Sequence, residues 1–167
     1  MKMSDILIPG TAGTALMTLF SYGVSAVDKE NYSEPERLSQ LAHRLAPVLN
    51  KKKHRLIGWS AHYGVGLLFA TAYAKLWEDR KLKPTFKNNF MLGAVSGLAA
   101  VAIWKTTFNA HPLPPAMRFD RYYLQLVPAH IVFAVFAGLG YAMLNRGKDG
   151  SSEIKNEPLT HLPWVEV

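Results

Sequence analysis

Cysteine is absent from the 167 residues, which excludes disulfides, thiolate metal sites, iron–sulfur clusters and cysteine nucleophiles. Acidic residues are scarce: 12 Asp and Glu stand against 19 Lys and Arg. Apart from Asp5, where a negative charge suits a helix start, they lie in loops and the tail. Paired carboxylates, a glycine-rich phosphate loop, a nucleophile elbow and the HxxxH or HExxH spacings of metal sites are all missing, so nothing in the pattern argues for an enzyme. The formal charge of +7 is not accompanied by a basic patch interleaved with aromatics, so nucleic acid is not an expected partner.

What the chain does have is long apolar runs. Mean hydropathy is only +0.02, but that average covers four greasy segments separated by charged loops. The runs cover about 5–27, 56–77, 89–110 and 123–144, each roughly 22 residues where about 20 cross a bilayer core. Only helices satisfy their backbone in lipid at this spacing, because a barrel needs many short alternating strands. Lys2 and Val24-Ser25-Ala26 imitate a secretory signal, yet the run is too long for a signal core and further spans follow, so it is expected to be retained.

The first loop carries Leu38, Leu41, Ala42, Leu45 and Leu49 at helical spacing, which predicts an interfacial amphipathic helix over about 35–49. Lys51-Lys52-Lys53-His54-Arg55 then reads as a headgroup anchor. The second loop is short and basic, and the third holds His111-Pro112-Leu113-Pro114-Pro115. Residues 147–167 form a polar tail that is expected to be mobile. Basic residues concentrated in the second loop and tail favour both termini in the cytoplasm.

The second and fourth runs repeat a pattern: Ala61-His62, Gly66 and Tyr73-Ala74 match Ala129-His130, Ala134 and Tyr141-Ala142 offset for offset. The first and third both open with small residues, including the GxxxG step of Gly93 and Gly97, read first as an intrachain contact. The expected fold is therefore all-α: an integral membrane four-helix bundle made of two similar transmembrane hairpins about a pseudo-twofold axis. Eleven residues return a helix to nearly the same face, so His62 shares a face with Tyr73 and His130 with Tyr141.

Both imidazoles fall roughly 9 Å into their spans, near the level of Lys105, Trp104 and Ser21. Three readings compete for this cluster. In the first the histidines bond across helices and Lys105 snorkels to headgroups. In the second the cluster is an outward-facing pocket for a small polar or anionic ligand. In the third His62 and His130 are the axial ligands of haem b, with no other metal expected. His43, His54, His111 and His161 read as solvated side chains.

The stretch Gly97-Leu98-Ala99-Ala100-Val101-Ala102-Ile103-Trp104-Lys105, the loop Pro112-Leu113-Pro114-Pro115 with Arg118, and the helix from His130 to Gly140-Tyr141 resemble the YagU-type small bacterial inner-membrane proteins. The first half, with Ser33-Glu34-Pro35-Glu36 and Ile57-Gly58-Trp59, is similar to uncharacterised membrane proteins of the Bacteroidota. The resemblance implies a multi-pass protein of the bacterial inner membrane, its proline loop (Pro114, Pro115, Arg118) on the periplasmic side, and supplies no reaction. Here Ala116 and Met117 separate Arg118 from the proline pair, a departure from the family's pattern. The expected role is a structural or accessory subunit of a membrane assembly, in contact with lipid and other membrane subunits; the alternative is binding of a small polar ligand or haem b at the histidine cluster.

Overall fold

The structure, a computed structural model, describes residues 2–79 and 82–154, with side chains to residue 146. Among the described residues the chain forms five α-helices and no strand: α1 Ser4–Asp28, α2 Glu34–Leu45, α3 Lys51–Asp79, α4 Phe86–Ala110 and α5 Phe119–Ile154.

Local chemistry sets most of the boundaries. α1 stops at Lys29, which takes the left-handed conformation at φ 56°. Pro35 in the first turn of α2 has the φ a helix start needs, with Glu34 and Glu36 at the positive end of the dipole and His43 and Arg44 at the negative end. α2 is shorter than the expected 35–49 because Ala46, which precedes Pro47, is pushed out of the helical region to φ −134° and ψ 66°. Thr85 caps α4 by accepting from the Asn88 N–H at 3.3 Å. α5 runs past the expected span of 123–144 to Ile154, through Gly147 and Gly150. The rest of the expected tail, 155–167, lies outside the described residues.

Three helices, α1, α4 and α5 over Phe119–Arg146, are long and apolar enough to cross a membrane. Only 28% of the most apolar stretch of α4 is buried within the molecule, so its greasy residues face outward as well as inward. Val95, Leu98 and Ile103 are among those exposed. A helix apolar on all sides suits lipid rather than water. α3 is 29 residues long but is not among the three, since Trp59, Ser60, His62, Tyr63 and three glycines dilute its most apolar stretch.

The packing order is α3, α1, α5, α4, with α2 lying against α3. α1 packs on α5, but α3 and α4 have no comparable backbone contact. The pseudo-twofold read from the repeat would require that contact, so the arrangement departs from the symmetry of the sequence. Gly93 and Gly97 lie against α5: an added Cβ would stand 2.5 Å from Ile131 Cα and 2.6 Å from Val127 Cα respectively. The GxxxG step is therefore an intrachain contact that draws α4 onto the turn of α5 carrying His130.

Two apolar clusters result. One joins Met17, Ala70, Tyr73, Trp77 and Phe133 along α1, α3 and α5. The other joins Tyr32, Leu41, Trp104, Phe108, Tyr122 and Leu126, so that α2 and the segment before it close one end of α4 and α5.

Candidate functional site

The helix order leaves a cavity of about 100 Å³ between α3 and α4, beneath α2. Met17, Val65, Phe69, Ala100 and Trp104 supply apolar walls. His62 and His130, each 5% exposed, line it from opposite sides of the repeat, and Glu34 lines it from the start of α2. The fold brings the two imidazoles to one space. A narrow extension runs on between the same two rings towards Thr14, whose buried hydroxyl oxygen has no partner.

Hydrogen bonding fixes which ring nitrogens are free. The Thr18 hydroxyl donates to the Thr14 carbonyl at 2.7 Å. It then accepts from His62 Nε2–H at 2.9 Å, which leaves His62 Nδ1 as an unprotonated acceptor. His130 Nδ1–H donates to the Leu126 carbonyl at 2.8 Å, which leaves its Nε2 lone pair free. The His130 ring also meets Phe69 edge-on at 5.6 Å.

Glu34 is the member that sequence reasoning missed. Its carboxylate is fully buried, with Ser21 Oγ donating to Oε2 at 3.4 Å and Oε1 without a partner. Burial pushes this carboxyl up to about 7, against the opposing pull of hydrogen bonds from its own backbone N–H, Gln125 and Ser21. In the sequence Glu34 reads as an ordinary first-turn acid of a loop helix, and no periodicity marks it. Only the docking of α2 over the bundle end takes it out of water.

Other expected members fall elsewhere. Lys105 is exposed and outside the cavity, whereas Trp104 beside it is buried. One residue is a 100° step around a helix, and that step turns the ammonium outward. Tyr73 is buried and bonds to Ser96 Oγ at 2.6 Å, a link from α3 to α4. Tyr141 packs on Trp77 with ring centroids 4.7 Å apart, beside Asp5 at the other end of the molecule. In the third loop Pro115 is buried, while the Leu113 and Pro114 carbonyls accept from Arg44 at 2.9 and 2.6 Å. Arg118 is exposed and pairs with Asp120 at 3.7 Å. His54 and His111 are not simply solvated: His54 is 3% exposed and donates to the Ala46 carbonyl, and His111 Nε2 donates to the Leu41 carbonyl at 3.3 Å. The cause is the same for both, since the loops fold back onto α2. His161 lies outside the described residues.

The haem reading does not fit this site. A cavity of about 100 Å³ holds a few waters or one very small solute, well below the roughly 300–1,000 Å³ of drug-sized ligand pockets. His62 also directs Nε2, the nitrogen that would face an iron, at Thr18. Among the described residues no three His, Asp or Glu side chains are grouped closely enough to hold a metal ion. Comparison with family models, curated proteins and solved structures finds no match to this chain, and none of them identifies a YagU-type family.

Proposed function

We propose that the chain is a four-span membrane protein whose cavity between α3 and α4 binds a small, hydrogen-bond-donating cation of the ammonium or primary-amine class. One observation carries the ligand class. Three of the four polar atoms left unpartnered on the cavity residues are acceptors, Glu34 Oε1, His62 Nδ1 and His130 Nε2, against one donor, Trp104 Nε1–H. A ligand must supply donors, and positive charge answers a buried carboxylate. Two aromatic residues, Phe69 and Trp104, are among its walls, which suits a cation. The volume suits ammonium or methylammonium.

The fourth span in this reading is α3. At 29 residues it reaches about 43 Å, more than the roughly 30 Å hydrocarbon core. Its polar side chains, His62 and Tyr73, turn inward, while Leu56, Val65 and Leu68 face out. Four crossings put both termini on one side. The outward apolar faces can be covered by lipid or by the helices of a larger assembly, so the accessory-subunit expectation has no residue-level test as sharp as that of the cavity.

The test is thermal unfolding of the full chain in neutral detergent, with ammonium, methylammonium, sodium or tetramethylammonium chloride at equal ionic strength. Ammonium and methylammonium are expected to raise Tm by about 5–10 °C near saturation, and sodium and tetramethylammonium to do nothing. Glu34→Gln abolishes the rise. Equal stabilisation by sodium, or an undiminished rise in Glu34→Gln, overturns the proposal.

A further inference from the structure

A second polar space lies outside the bundle, in the corner between α2 and α3, and its chemistry is the reverse of the first. The corner is tightly built. An added Cβ at Gly58 would stand 2.1 Å from Ser39 Oγ and 2.4 Å from the Pro35 carbonyl, so α2 presses directly on the α3 backbone. Ser39 Oγ donates to that same Pro35 carbonyl at 2.7 Å. His54 Nε2 donates to the Ala46 carbonyl at 2.9 Å, which ties the linker to α3. The His43 ring meets His54 edge-on at 4.7 Å.

This frame surrounds a groove of about 540 Å³, lined by Lys51, Arg55, His43 and His54. Lys51 and Arg55 are exposed and make no ion pair among the described residues. The one acid in the lining, Glu36, is already engaged: Asn31 Nδ2 donates to it at 2.6 Å and the Tyr22 hydroxyl at 3.4 Å. The first turn of α3, which starts at Lys51, adds the positive end of its dipole. Leu45, Val48, Leu56 and Ile57 stand exposed on the adjoining stretches of α2, the linker and α3.

We infer that the groove formed by His43, Lys51, His54 and Arg55 binds a phosphate-bearing anion, and that its occupant is the headgroup of an anionic membrane lipid. The guanidinium of Arg55 matches phosphate with two parallel N–H donors, and Lys51 supplies a point charge. The volume falls in the ordinary range for ligand sites. Lipid is favoured over a soluble phosphate by the apolar side chains beside the groove, which offer a path for acyl chains. This site shares no residue with the amine cavity and does not depend on it.

The test uses the full chain in neutral detergent with added phosphatidic acid or phosphatidylcholine, read by native mass spectrometry. Two double variants remove the same charge: Lys51→Gln with Arg55→Gln inside the groove, and Lys52→Gln with Lys53→Gln beside it. All four positions are exposed, so both variants are expected to keep wild-type helicity. Wild type retains one phosphatidic acid and no phosphatidylcholine. The groove variant loses at least about tenfold in retention and the neighbouring variant less than about twofold. Equal losses in the two variants mean diffuse attraction and overturn the site, as does equal retention of the two lipids. Inorganic phosphate is the second arm. Competition with the lipid supports a phosphate-reading groove, and groove-dependent binding of phosphate without any lipid retention overturns the lipid assignment.

Discussion

The buried histidines His62 and His130 and the corner histidines His43 and His54 use the same ring for opposite ends. The first pair comes from helices far apart in sequence, and each ring donates its one proton to a neighbour inside the bundle, which leaves one bare nitrogen on each of two rings that line a small cavity. The second pair is joined through one short linker and stands among free cations at the rim of a wide groove. The difference is made by partners rather than by residue type. An imidazole becomes an acceptor site where a hydroxyl or a helix carbonyl has already taken its proton, and part of a cationic wall where Lys and Arg surround it.

The comparison breaks most completely where α4 is forced off α5. Gly93→Val drives a side chain onto the Ile131 backbone, with a cost of about 3 kcal/mol or more, and dismantles the inner pair while leaving the corner intact. Loss of the cooperative unfolding transition, with groove-dependent lipid retention still measurable at low temperature, is the expected outcome.

Glu34 provides the next largest effect. Its folded value of about 7 lies above the ordinary 4.5, so the folded state holds a proton that the unfolded state has already released. The stability this contributes is present in full below about pH 4.5, falls as pH rises towards 7, and is level above that. The drop is roughly 3 kcal/mol across the window. Denaturant unfolding between pH 4 and 8 shows that slope in wild type, and Glu34→Gln flattens it.

A smaller change sharpens the tautomer argument. Thr18→Val removes the acceptor of His62 Nε2–H and costs about 1–3 kcal/mol in midpoint stability, read in the same denaturant series. Smallest of all is His43→Ala, at an exposed ring, which stays within about 0.5 kcal/mol of wild type in the same denaturation series.

The sequence made the helices legible because long apolar segments announce themselves by length and composition alone. Matched offsets single out His62 and His130 in the sequence, and both line one cavity in the fold. Lys105 was misplaced because depth along a helix says nothing about direction around it. Glu34 and His54 were missed because both belong to α2 or its junction with α3, where burial comes from how the segment folds back and not from any pattern within it. One residue joins the two facts about α3: His62 lowers its hydropathy and lines the cavity.

The open seam between α3 and α4 has a mechanical consequence. The four long helices form a curled strip rather than a closed ring, with its spine along α1 and α5 and its free edges meeting over the cavity. Among the described hydrogen bonds Tyr73 alone fastens those edges, through Ser96 and the Leu92 carbonyl. The seam is pinned a second time at its end by α2, which presses on α3 at Gly58 and is bonded through Arg44 to the loop after α4, so a guest entering sideways must part the Tyr73 clasp and slip past α2.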